Sequence, residues 1–105
     1  MAGSTRRQQL ESLLADDPND AFLRYGLAME HASAGDGEAA LGTLRQMFAD
    51  KIEYVPAYQQ AGQILMRLDR IDEARDAFEK GIALAKRVGD AHAAGEMEGF
   101  LDTLG

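Results

Sequence analysis

The stretch that decides the fold is Tyr58-Gln59-Gln60-Ala61-Gly62-Gln63-Ile64-Leu65, followed by Ala74-Arg75-Asp76-Ala77-Phe78-Glu79-Lys80-Gly81. In its first half Tyr58, Ala61, Gly62 and Leu65 recur three and four positions apart, which places them on one face of a helix. In its second half Ala74, Phe78 and Gly81 do the same. Small residues on both faces let two helices cross at short distance. Residues 55–88 therefore read as a helix-turn-helix unit. A unit of this size cannot bury its apolar face alone and needs stacked neighbours.

The pattern occurs twice, at a period of about 34 residues. The other copy, residues 21–54, carries Leu27-Ala28 and His31, then Gly35-Asp36, Ala40, Leu44 and Met47. Direct identity is thin, limited to Ala40 with Ala74 and Ala49 with Ala83. Arg24 stands where the later copy has Tyr58, and His31 where it has Leu65. Ala28 and Gly62 mark the closest helix crossings, with Ala40 and Ala74 expected to face them. These positions read as packing and not as chemistry.

In this order of residue classes the chain resembles the tetratricopeptide repeat family, and in particular its small bacterial-type domains of two repeats with flanking helices. The later copy matches the family signature at Tyr58, Ala61, Gly62, Leu65, Ala74 and Phe78. The earlier copy departs from it at Arg24 and His31. The resemblance implies an all-α fold of stacked helical hairpins, a solenoid of about two repeats. Residues 4–17 read as the second half of a truncated repeat, and residues 90–104 as a capping helix. All of it is expected to form one domain, residues 1–105.

Local signals set the element boundaries. The first helix carries the stripe Leu10, Leu13, Leu14, with Ser4 or Thr5 as its cap and Asp16-Asp17-Pro18 as its stop. Further helices are expected over about 20–34, 37–49, 56–68, 72–87 and 90–104. Asn19 or Asp20 caps the second helix. Gly35 and Gly89 offer left-handed stops, and Asp69 takes the place of a turn glycine. In the last helix Met97, Phe100, Leu101 and Leu104 face inward, while Glu96, Glu98 and Asp102 form the polar face that a terminal element needs. The four-residue spacing of Gly95 and Gly99 predicts a close approach to the preceding helix.

The 105 residues carry a net charge of −7 and no cysteine. Phosphate binding needs a concentrated basic surface, so nucleic acid is not an expected partner. No apolar run reaches the roughly 20 residues that span a membrane, and the first residues lack the apolar stretch of a signal peptide. A cytoplasmic location is expected. No nucleophile motif, phosphate loop or carboxylate pair points to an enzyme. His92 and Glu96 lie one turn apart with Asp90 nearby, a spacing common by chance, so no metal and no cofactor is expected.

The resemblance implies a non-catalytic module that binds a protein or peptide on the concave face lined by the first helix of each repeat. Those positions hold Phe22, Tyr25, Met29, Ala32 and Ser33 in one copy, and Pro56, Gln59, Gln63, Met66 and Arg67 in the other. The candidate site is Phe22, Tyr25, Met29 and Met66 as apolar anchors, with Gln59, Gln63 and Arg67 as polar contacts. The positions at which some relatives grip a terminal carboxylate hold Tyr25, Met29 and Gln60, without lysine. Two alternatives stay open. Leu10, Leu13 and Leu14 can cover the apolar stripe, or the same face can pair two copies as a homodimer.

Overall fold

The computed structural model describes the backbone of residues 2–105 and the side chains from residue 6 onward. The described residues form six α-helices: α1 Ala2–Asp16, α2 Ala21–Ser33, α3 Gly37–Ala49, α4 Val55–Arg67, α5 Ile71–Val88 and α6 Ala91–Leu104. They fall into two compact units, Met1–Ile52 and Glu53–Gly105.

Helix ends follow the expected chemistry. Asp20, Asp36 and Asp90 each accept a hydrogen bond from the amide three residues on, at 2.9, 3.0 and 3.0 Å. Each satisfies a first-turn donor that has no partner inside its helix. Gly35 and Gly89 take φ of +82°, and Asp69 takes +61°. Lys51 does the same at +61°, in the linker after α3. The expected cap at Ser4 or Thr5 rests on side chains outside the described ones, and the backbone is already helical from Ala2. Pro56 sits in the first turn of α4, where its missing amide hydrogen removes no bond.

In the first unit α2 packs between α1 and α3. Ala28 and Ala40 are wholly buried, beside Leu41, Leu44 and Met47. Leu10 of α1 is buried and reaches Gly26, where a Cβ would lie 3.4 Å from its Cδ2. The aromatic position of the repeat, held by Arg24, is filled in an unexpected way. Arg24 is only 8% exposed, and its Nη2 lies 2.9 Å from Asp50 Oδ2 at the end of α3.

In the second unit α4 packs on α5, α5 on α6, and α4 touches α6. Ala61, Ile64, Leu65, Ala74, Phe78, Leu84, Ala85 and Met97 build the core. Gly62 leaves room for the Phe78 ring, which a Cβ there would overlap. Ala74 is also wholly buried, but Phe78 supplies the nearest atoms. The Phe78 ring also stacks on Phe100 of α6, centroids 5.2 Å apart and planes at 8°. Gly81 seats α6 in the same way, since a Cβ there would come within 2.6 Å of Met97 Sδ and 2.8 Å of Tyr58 Cβ.

Gly95 and Gly99 are a correction. Nothing lies within 4 Å of a Cβ built at either, and both are exposed. They sit on the outer side of α6, and the helix that α6 approaches is met by Ala93, Ala94 and Met97.

Charge pairs decorate the surface. Arg87 bonds Glu53 through two guanidinium nitrogens. That hydrogen bond, and then the charge attraction, hold the Glu53 carboxyl below its ordinary range. The contact contributes above the unfolded-state pKa of a glutamate and fades as pH falls through the lowered one.

Two substitutions test the packing. Gly62→Ala gains about 1 kcal/mol of helix propensity, yet the new methyl meets the ring of Phe78, which is wholly buried and stacked on Phe100 of α6. A net loss of about 1–3 kcal/mol is expected in a denaturant melt. Equal midpoints would show that the crossing is looser than described. Met97→Ala empties a wholly buried site and is expected to lower stability by about 2–5 kcal/mol, read by thermal melting.

Candidate functional site

The expected site residues divide between the units. In the first, the Asp20 cap starts α2 so that Phe22 falls in its opening turn. Phe22 is 68% exposed, while Tyr25 and Met29 are half-buried. Leu10 packs on α2 at Gly26, but Leu13 is itself 52% exposed. The α1 leucines therefore leave the Phe22 ring open.

In the second unit Gln59, Gln63 and Met66 are half-buried along α4, and Arg67 is exposed in its last turn. Gln59 Nε2 donates to Glu96 Oε1 of α6 at 3.4 Å. Glu96 also faces His92 Nε2 at 3.5 Å. A groove of about 290 Å³ opens between α4 and α6 here, lined by Val55, Gln59, Gln60, His92, Ala93 and Glu96. The α6 members were not among the expected site residues. The repeat period was the available signal: one more step of about 34 residues carries Tyr58 to His92 and Gly62 to Glu96. That step makes α6 the first helix of a further unit, and so a neighbour of α4.

A second groove, about 690 Å³, lies in the first unit against Leu27, His31, Thr43, Gln46 and the Arg24–Asp50 pair. His31 is half-buried there. Among the described residues no three His, Cys, Asp or Glu side chains are placed to hold a metal ion. The Asp90 carboxylate is used on the Ala93 amide. Among the described residues no helix is long and apolar enough to cross a membrane.

With this geometry in place, comparison with known proteins is informative. No family model matches. A TPR repeat-containing protein of Pseudomonas aeruginosa is 34% identical over 95 residues, covering 90% of each chain. A tetratricopeptide repeat domain protein from Salinibacter ruber, solved in solution, is 31% identical with a TM-score of 0.77. That match covers 83% of this chain and 88% of the other. The crystal structure of PcrH in complex with the chaperone binding region of PopD shares the fold at a TM-score of 0.87 and 21% identity, over 98% of this chain and 78% of that one.

The chain belongs to the tetratricopeptide repeat family. Its all-α fold of helical hairpins is the one such domains share, and domains of this kind are in general protein-interaction modules.

The ion pair in the first unit is open to a direct test. Asp50→Asn leaves the Arg24 guanidinium buried without its counter-charge. Asp50 itself is partly in water, so the expected loss is about 1–2 kcal/mol in a urea melt. Arg24→Met removes the charge together with the need for it, and is expected to cost less than Asp50→Asn. The reverse order would mean that the arginine stem, and not its charge, supports the site.

Proposed function

We propose that this protein is a non-catalytic binding module for a protein or peptide segment, which it engages along α2 and α4, the first helices of its repeats. The carrying observation is the Phe22 ring, 68% exposed on α2 beside half-open Tyr25 and Met29. Exposed aromatic residues next to flexible Met side chains commonly mark a docking surface. Phe22, Tyr25 and Met29 serve as apolar anchors in the first unit and Met66 in the second. Gln59, Gln63 and Arg67 reach the backbone or an acidic side chain of the bound segment.

The family supports this reading, as does PcrH, a fold neighbour seen with a segment of another protein. The net charge of −7 favours a protein over a nucleic acid as partner. The same exposure of Phe22 and Leu13 also favours a second reading, in which two copies pair through these residues.

One set of variants separates the cases. Phe22→Ala is expected to leave stability within about 0.5 kcal/mol while reducing capture of a partner. The parent should sediment as a monomer at both low and high concentration. A parent that dimerises, with Phe22→Ala restoring the monomer, replaces partner binding with self-association. Tyr25→Ala and Met29→Ala complete the set. If either costs about 2–5 kcal/mol of stability, it is a core residue and leaves the site.

A further inference from the structure

Resting on that binding reading, the geometry points to the α4–α6 groove as the seat of a lysine or arginine side chain of an extended peptide, held by the carboxylate of Glu96.

The first support is what Glu96 lacks. In the second unit Asp72, Glu73, Asp76 and Glu98 pair with Arg75, Arg70, Lys80 and Lys86 at 3.3, 2.8, 3.1 and 3.6 Å, and Glu53 pairs with Arg87. Glu96, like Asp69, Glu79, Asp90 and Asp102, is not in that set, and of these only Glu96 and the helix-capping Asp90 line the groove. Glu96 is met by the neutral amide of Gln59 at 3.4 Å, and by His92 at 3.5 Å, a partner that is cationic only when protonated. Both contacts are long. An ionised carboxylate has about four acceptor positions, so Glu96 retains capacity for a strong cationic donor.

The second support is the shape and lining of the groove. At about 290 Å³ it lies at the lower end of the roughly 300–1,000 Å³ typical of small-molecule sites, and it has room for one long side chain. Buried Val55 and Ala93 contribute an apolar wall, which matches the methylene stem of lysine or arginine. The half-buried amide of Gln60 offers a donor and an acceptor to the peptide backbone.

Access and charge complete the case. His92, which lines the groove, is 87% exposed at its side chain. The Asp90 carboxylate also lines the groove while capping α6. An anionic side chain would meet two carboxylates there, and a cationic one meets complementary charge.

Two acetylated, amidated pentapeptides test this: Ala-Leu-Arg-Leu-Ala, and the same sequence with neutral citrulline for arginine. Each is titrated into 15N-labelled protein at low salt. The arginine peptide should shift the amides of His92 and Glu96 and the side-chain amide of Gln59. The citrulline peptide should bind about threefold to fivefold more weakly, as for a partly exposed ion pair. Glu96→Gln should weaken the arginine peptide by the same factor and leave the citrulline peptide unchanged. Glu98→Gln, on the same helix but paired with Lys86, should alter neither. Equal affinity of the two peptides for the parent, or no effect of Glu96→Gln, would overturn the cation assignment while leaving peptide binding in place. If neither peptide moves any α4 or α6 amide, the groove assignment falls. The binding reading is then decided by Phe22→Ala.

Discussion

The second unit depends on one constraint: Gly62 has no Cβ. That absence lets the Phe78 ring enter the space between α4 and α5. Phe78 is wholly buried, and its ring stacks on Phe100. The crossing of α4 and α5 thus fixes the ring, and the ring fixes where α6 lies. Gly81 repeats the device one turn further along α5, where Met97 and Tyr58 close over it. The α4–α6 groove is the remaining space. Gly62, Phe78, Gly81 and Met97, which hold the three helices together, do not themselves line it.

The first unit solves the same problem with different chemistry. Ala28 of α2 and Ala40 of α3 are wholly buried, but the position held by Tyr58 in the later copy is held by Arg24. A guanidinium taken out of water is costly unless its charge and donors are met. Asp50 meets it from the end of α3. Among the described residues no buried side-chain nitrogen or oxygen lacks a hydrogen-bond partner. The pair bonds α2 to the far end of its own partner helix, which an aromatic ring would join only by contact. Directional bonding here replaces apolar area.

How far each feature can be read from sequence follows from its range. Caps and stops act within four residues, so Asp20, Asp36, Gly35 and Gly89 mark helix ends correctly from local identity alone. The apolar period acts within one helix, and it locates the buried faces of α3, α5 and α6. Gly95 and Gly99 mislead because a glycine pair signals close approach only when a neighbour lies on that side. Their face of α6 points away from Ala93, Ala94 and Met97. The burial of Arg24 is not legible for a related reason. A charged residue reads as surface unless its partner is known, and Asp50 is distant in sequence. In the candidate site, the composition of α2 and α4 is legible. The exposure of Phe22 and the contribution of α6 are not, because both depend on which helix stands beside which.

Glu96 joins these two threads. It stands one repeat period after Gly62 and two after Ala28, the positions at which a second helix crosses its first most closely. A helix crossing α6 there, as α5 crosses α4, would bury the Glu96 carboxylate. An ionised group in such a crossing costs several kcal/mol unless it is paired and hydrogen-bonded. The exposed residues of α6 instead include Glu96, Glu98, Asp102 and two glycines with open space where a Cβ would stand. This polar face suits a helix that ends a stack. The residue that makes close stacking unfavourable is also the one that faces Gln59 across the groove. A carboxylate excluded from packing and left beside an apolar wall is available to a cation. One side chain thus bears on both the polar face of α6 and the chemistry of the groove.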